Sequence, residues 1–179
     1  MTDDVDQLNT QLKFIYDNYR TALLNRKFYG EMLSRYQRYN YWMEIGIAIG
    51  ATGSAGVGGL AIWGTELGKI GWIVISSASV MLGVIKPIMQ MGKQIEKYTK
   101  LYTGHANIFL ELKAMVEEIE VSRNISRKVE DRYASIGRLI RELGGLEDPK
   151  QSRRLILNLQ GEVNHEIPAE RLWVPRDSR

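Results

Sequence analysis

The chain contains no cysteine. That absence removes disulfide scaffolds, thiol nucleophiles and Cys-ligated zinc together. Histidine is almost as scarce: His105 and His165 stand far apart, so no imidazole cluster is available to a metal. No nucleophile–base pair and no paired carboxylates share a scaffold, so neither an enzyme nor a cofactor is expected. A net charge of +3 is too small to argue for nucleic acid. The opening Thr2-Asp3-Asp4 is acidic and leads into a charged amphipathic stretch, which is not the pattern of a cleavable export signal.

Charge is also missing locally. Between Ile45 and Gly92 only Glu66, Lys69 and Lys86 are charged, while the other 42 charges crowd into the remaining 131 positions. Ile45–Thr65 runs 21 residues without a charge, and Ile70–Ile85 another 16. At ~1.5 Å per residue the first run is about 31 Å long, the thickness of a bilayer's hydrocarbon core. The reading is an all-α membrane protein with a two-helix transmembrane hairpin over residues 43–92, its spans at about 43–63 and 70–91. The competing arrangement, a buried hairpin in a soluble bundle, would need more covering protein than 179 residues provide.

The first span is rich in glycine. Eleven of the 17 glycines lie between Gly46 and Gly92. In water each would weaken a helix by ~1 kcal/mol relative to alanine. In lipid the backbone must bond to itself, and small residues allow helices to approach closely. Gly46, Gly50, Ser54 and Gly58 follow a small-xxx-small spacing and are the expected helix-packing face. A phosphate-cradling loop is the alternative, but GATGSAGVGG lacks the P-loop lysine and no strand pattern precedes it. Gly64–Lys69 reads as the turn. Tyr39, Tyr41 and Trp42, then Trp63 and Trp72, then Tyr98 and Tyr102 sit where interfacial aromatics belong. Basic residues outside the hairpin predict that both termini are cytoplasmic, with the turn outside.

Ser76, Ser79, Gly83, Lys86 and Gln90 recur at spacings of 3 and 4 along the second span. At ~100° per residue they share an arc of about 80°. A hydrophilic face in hydrocarbon must meet water or another polar face. One expectation is therefore a pore lined by these residues, formed by a homo-oligomer of about four or more copies, since helices ~10 Å across enclose no lumen in smaller bundles. The other is a packing seam, with the serines bonding backbone carbonyls and Lys86 snorkelling or reaching Glu44. Gly83 with Pro87 is the expected hinge, because Pro87 removes a backbone donor and crowds the carbonyl of residue 83.

Outside the hairpin the chain is amphipathic. Residues 1–42 carry Val5, Leu8, Leu12, Ile15, Tyr19 and Ala22 at alternating spacings of 3 and 4, predicting a helix that continues into the first span, with Gly30 as its weak point. Residues 93–145 form a coiled-coil-like region. Tyr98, Leu101, His105, Ile108, Leu112, Met115 and Ile119 make one seam, and Val129, Tyr133, Ile136, Ile140 and Leu143 continue it after a polar gap at Ser122–Ser126. His105 is expected to be partly buried and bonded to a neighbouring helix. Gly144-Gly145 should stop the helix and Asp148-Pro149 should turn. Residues 146–179 then supply a short helix from Arg153 to Gln160 and an extended tail anchored by Leu172-Trp173-Val174. Arg123, Arg127, Lys128, Arg132, Arg153 and Arg154 are the candidate contacts for a phosphate-bearing ligand, with solvated helix faces as the ordinary alternative.

The stretch NRKFYGEMLSRYQRYNYW, two short spans and then GKQIEKYTKLYTGHANIFLELKAMVEEIE resemble the SLATT-type bacterial two-transmembrane effectors, over roughly residues 10–145. The resemblance implies a pore- or channel-forming effector of antiphage defence. It would be gated by a nucleotide or oligonucleotide signal from a partner nucleotidyltransferase, and would cause membrane depolarisation and abortive infection. Alternatives are a membrane-anchored adaptor that recruits a cytoplasmic partner, and a phage-type holin. The long region after residue 93 counts against a holin, which needs little cytoplasmic apparatus.

Overall fold

The computed structural model describes residues 2–53, 66–147 and 152–175. Among them the chain is all-α: α1 Thr2–Gly53, α2 Glu66–Ile88, α3 Met91–Ser122, α4 Arg127–Gly144 and α5 Arg153–Glu166, followed by a single 3-10 turn at Ala169–Arg171. The chain divides into two compact units. One comprises residues 1–32 and 97–179, the other residues 33–96.

The first unit is held by the seams that periodicity predicts. Leu12, Ile15, Tyr19 and Ala22 of α1 are buried against Ile108, Leu112, Met115 and Ile119 of α3, with Val129 and Ile136 of α4 closing the cluster. The seam is thus satisfied within one chain. Tyr19 stacks on Phe109, with ring centroids 5.2 Å apart. At Gly104 a β-carbon would lie 2.6 Å from Leu143 Cδ1, so the glycine lets the Leu143 side chain of α4 rest directly on α3.

The polar gap separates two helices. α3 ends at Ser122, and Arg123 takes a left-handed φ of 53°. Ser126 then caps α4, its hydroxyl accepting from the Val129 amide at 3.3 Å. α4 ends at Gly144. Asp148-Pro149 lies outside the described residues. α5 runs past Gln160 to Glu166, because Leu159 and Val163 continue the apolar face and both are buried.

α1 continues through Gly30 without a break. Gly30 lies against the Tyr102 ring of α3, where a β-carbon would stand 3.2 Å away, so tight packing rather than weakness explains this glycine.

The second unit contains α1 from Leu33, α2 and the start of α3. Contacts pair Glu44 with Lys86, Gly46 with Leu82 and Gly50 with Ser79, an antiparallel register. Ser54, Gly58 and Trp63 lie outside the described residues, so the expected first span is described only to Gly53. Glu66–Lys69, read from sequence as turn, is the first turn of α2. Among the described residues no single helix is long and apolar enough to cross a membrane. Residues 73–89 and α3 meet that criterion only together, across a 46° bend.

Candidate functional site

The candidate site is the seam of the second unit, where Ser79 bonds across to α1, a Lys86–Glu44 pair lies at the edge, and large apolar side chains face outward. Ser79 is held at two points. Its hydroxyl donates to the Ile75 carbonyl one turn back, at 2.9 Å, and lies 3.0 Å from the Gly46 carbonyl of α1. Gly46 and Gly50 make this possible. A β-carbon at 46 would lie 2.8 Å from Leu82 Cδ1, and one at 50 would overlap the Ser79 side chain. Lys86 Nζ lies 2.8 Å from Glu44 Oε1, and the Asn40 amide donates to the same carboxylate at 2.9 Å.

Two of the five expected pore-lining residues, Ser79 and Lys86, bond across this seam. Ser79 and Lys86 face the companion helix and are engaged by it, so they do not need water in order to be satisfied. Ser76 is half-buried, and Gly83 is open to its surroundings. Gln90 is outside α2 altogether, with a left-handed φ of 47°. The five residues therefore do not form one free polar face.

The outward side is apolar. Ile73, Val80, Met81, Val84 and Ile88 of α2 are all more than half exposed, as are Tyr41, Trp42 and Ile49 of α1. A water-soluble helix pair arranges its side chains the other way round.

The hinge also shifts. Pro87 lies inside the last turn of α2, and the preceding turn, with Gly83, stays helical. The Met89 amide still reaches the Ile85 carbonyl at 2.9 Å. The chain changes direction at Gln90, three residues after the proline.

The six basic candidates differ in availability. Arg132 spans the α3–α4 seam, 2.8 Å from Glu111 and 3.4 Å from Glu118, so its guanidinium is already committed to carboxylates. Arg123 lies over the Trp173 ring, 5.3 Å from its centroid. Arg127 and Lys128 open α4, Arg153 and Arg154 open α5, and all four are exposed. These cations sit at helix ends whose dipole already carries positive potential, a placement that favours an anion.

His105 is 3% exposed. Its ring stacks on Tyr29 at 5.3 Å, and Nε2 lies 3.1 Å from Glu147 Oε1, just beyond α4. Burial pushes the imidazole pKa below its ordinary value, while the Glu147 hydrogen bond and charge oppose that shift.

Two anchors escape the periodicity reading. Tyr16 is buried one position after Ile15, and its phenol donates to the Trp173 carbonyl at 2.8 Å. Burial, with Glu120 adding and Arg123 opposing, pushes that phenol up to about 12. Lys27 pairs with Glu162 at 2.8 Å and also with Glu166, while Arg20 bonds Asn164, tying α5 to α1. The signal for the clamp was the spacing of four between the two glutamates.

Among the described residues no group of three or more His, Asp or Glu side chains is placed to hold a metal. Comparison with protein-family models, with curated proteins and with solved structures finds no match to the chain.

Proposed function

We propose that the chain is a membrane effector whose second unit inserts into a bacterial inner membrane as a two-helix hairpin. The observation that carries this reading is the hairpin's inverted polarity. Ser79 bonds across the seam, Lys86 and Glu44 neutralise one another at its half-exposed edge, and the outer face of α2 is apolar. In hydrocarbon that arrangement hides the costly groups and exposes the cheap ones; in water it does the reverse. The spans are about 43–63 and 70–91, and the buried helical body would stay cytoplasmic with both termini. On this reading four or more copies assemble and permeabilise the membrane. A nucleotide or oligonucleotide made by a partner nucleotidyltransferase controls the assembly, as the likeness to SLATT-type effectors of antiphage defence implies. Arg127, Lys128, Arg153 and Arg154 are the exposed cations that such a ligand would meet.

The test uses the full chain reconstituted into vesicles that hold a self-quenched dye, with planar-bilayer recording alongside. Dye release and discrete currents, changed by added nucleotides, are expected. Vesicle-bound protein that releases no dye under any nucleotide tried would remove the pore.

A second reading is a membrane-anchored adaptor, favoured by the closed seam. Because Ser79 and Lys86 are satisfied inside one hairpin, no water-filled passage is needed to accommodate them. Membrane binding without leakage is the result that selects it.

A further inference from the structure

Building on the membrane reading, we infer that the break between α2 and α3 is a site for the phosphate of an anionic phospholipid headgroup, with Lys93 as its counter-charge. A depression of about 560 Å³ opens there, lined by Lys86, Pro87, Gln90, Met91, Gly92 and Lys93. The two ammonium groups are not equivalent. Lys86 is neutralised by Glu44 at 2.8 Å, whereas Lys93 is exposed at the rim. One uncompensated cation selects for a headgroup of net negative charge.

The backbone adds donors. The first bond of α3 runs from the Gln94 amide to the Gln90 carbonyl at 3.1 Å, so the amides of Met91, Gly92 and Lys93 precede the helix's own acceptors. Gly92 has nothing within 4 Å of where a β-carbon would stand, which leaves its backbone approachable.

The surroundings identify a lipid rather than a free phosphate. Ile88 and Met89, directly before the break, are exposed apolar side chains suited to acyl chains. Trp42 and Tyr41 are exposed within one turn of Glu44, the residue paired with Lys86. In the register that pairs Glu44 with Lys86, the exposed apolar pair and the aromatic rings share one level of the hairpin, and Lys93 lies beyond it on the headgroup side.

The test titrates the full chain, in micelles of a neutral detergent, with short-chain phosphatidylglycerol and phosphatidylcholine. Phosphatidylglycerol should bind about five-fold tighter, the contribution of one basic side chain at an anionic surface. Lys93→Gln should abolish that preference, Lys93→Arg should keep it, and millimolar inorganic phosphate should not displace the lipid. Equal affinities for the two lipids, an unchanged preference in Lys93→Gln, or displacement by inorganic phosphate would each overturn the site. Flotation with neutral vesicles separates the two ideas. A chain that floats but shows no headgroup preference loses only this site; one that neither floats nor binds lipid loses the membrane reading and the site with it.

Discussion

Gly50 of α1 and Ser79 of α2 approach so closely that the seam has no room for a β-carbon at residue 50. The overlap falls on the Ser79 side chain itself, whose hydroxyl lies within hydrogen-bond distance of the Ile75 and Gly46 carbonyls. Gly50→Ala should therefore destabilise the hairpin by about 1–3 kcal/mol, the usual cost of overpacking. Ser79→Gly in the same chain should recover most of the loss, since it removes the atoms in the way. Ser79→Ala alone should cost only ~0.6 kcal/mol, an ordinary interhelical hydrogen bond in lipid. Reversible unfolding in bicelles measures all three variants against the parent.

The Lys86–Glu44 pair distinguishes lipid from water. Glu44→Gln leaves the ammonium without its counter-charge. In hydrocarbon an uncompensated lysine costs about 2.5–3.5 kcal/mol, whereas a half-exposed pair in water is worth 1 kcal/mol or less. The variant should lose much more stability in a bilayer than in a solubilising detergent. Glu44→Gln combined with Lys86→Gln should restore most of it. Equal losses in the two media would argue against insertion.

His105 sets a pH dependence in the helical body. Burial holds its folded-state pKa below the unfolded value. As pH falls through the unfolded value of ~6.5, the unfolded chain takes up a proton that the folded chain resists, so stability is full above that point and declines until the folded imidazole also titrates. Denaturant midpoints should fall between pH 7 and pH 5, and His105→Gln should flatten the slope. Glu147→Gln, which removes the group opposing the shift, should carry the decline to lower pH.

The α3 seam should separate neighbours by burial. Leu112 is fully buried and Leu110, two residues earlier, is 58% exposed. Leu112→Ala should cost about 2–5 kcal/mol, a core truncation with residual cavity. Leu110→Ala should stay within about 0.5 kcal/mol, as surface changes do. Chemical denaturation of both variants checks the contrast.

Much of the helical body was legible because periodicity reports which residues share a face. Every α3 seam position from Tyr98 to Ile119 is buried, and the Ser122–Ser126 gap is the junction that its polarity suggests. Periodicity does not report what that face meets. The stripe on the second span is polar, but its partner is α1, and only the register that sets Gly46 against Leu82 and Gly50 against Ser79 shows that. Tyr16 was passed over because it stands one step off the 3–4 pattern. An aromatic reaches round a helix face where a shorter side chain would not, and α1 buries a wider arc than a two-helix seam would need. Pro87 sits inside α2, and the helix ends just after it, at Ile88, before the left-handed Gln90.

The core that joins Leu12 and Ile15 to Leu112 and Ile119 spans about a hundred residues of chain. At ~5–20 residues per second of synthesis, the apolar side of α1 waits roughly 5–20 s on the ribosome for its mate, while the hairpin emerges between them. A newborn copy therefore presents two greasy segments in succession before either is covered, and on the proposed membrane reading its biogenesis calls for escort to the bilayer while translation is still under way.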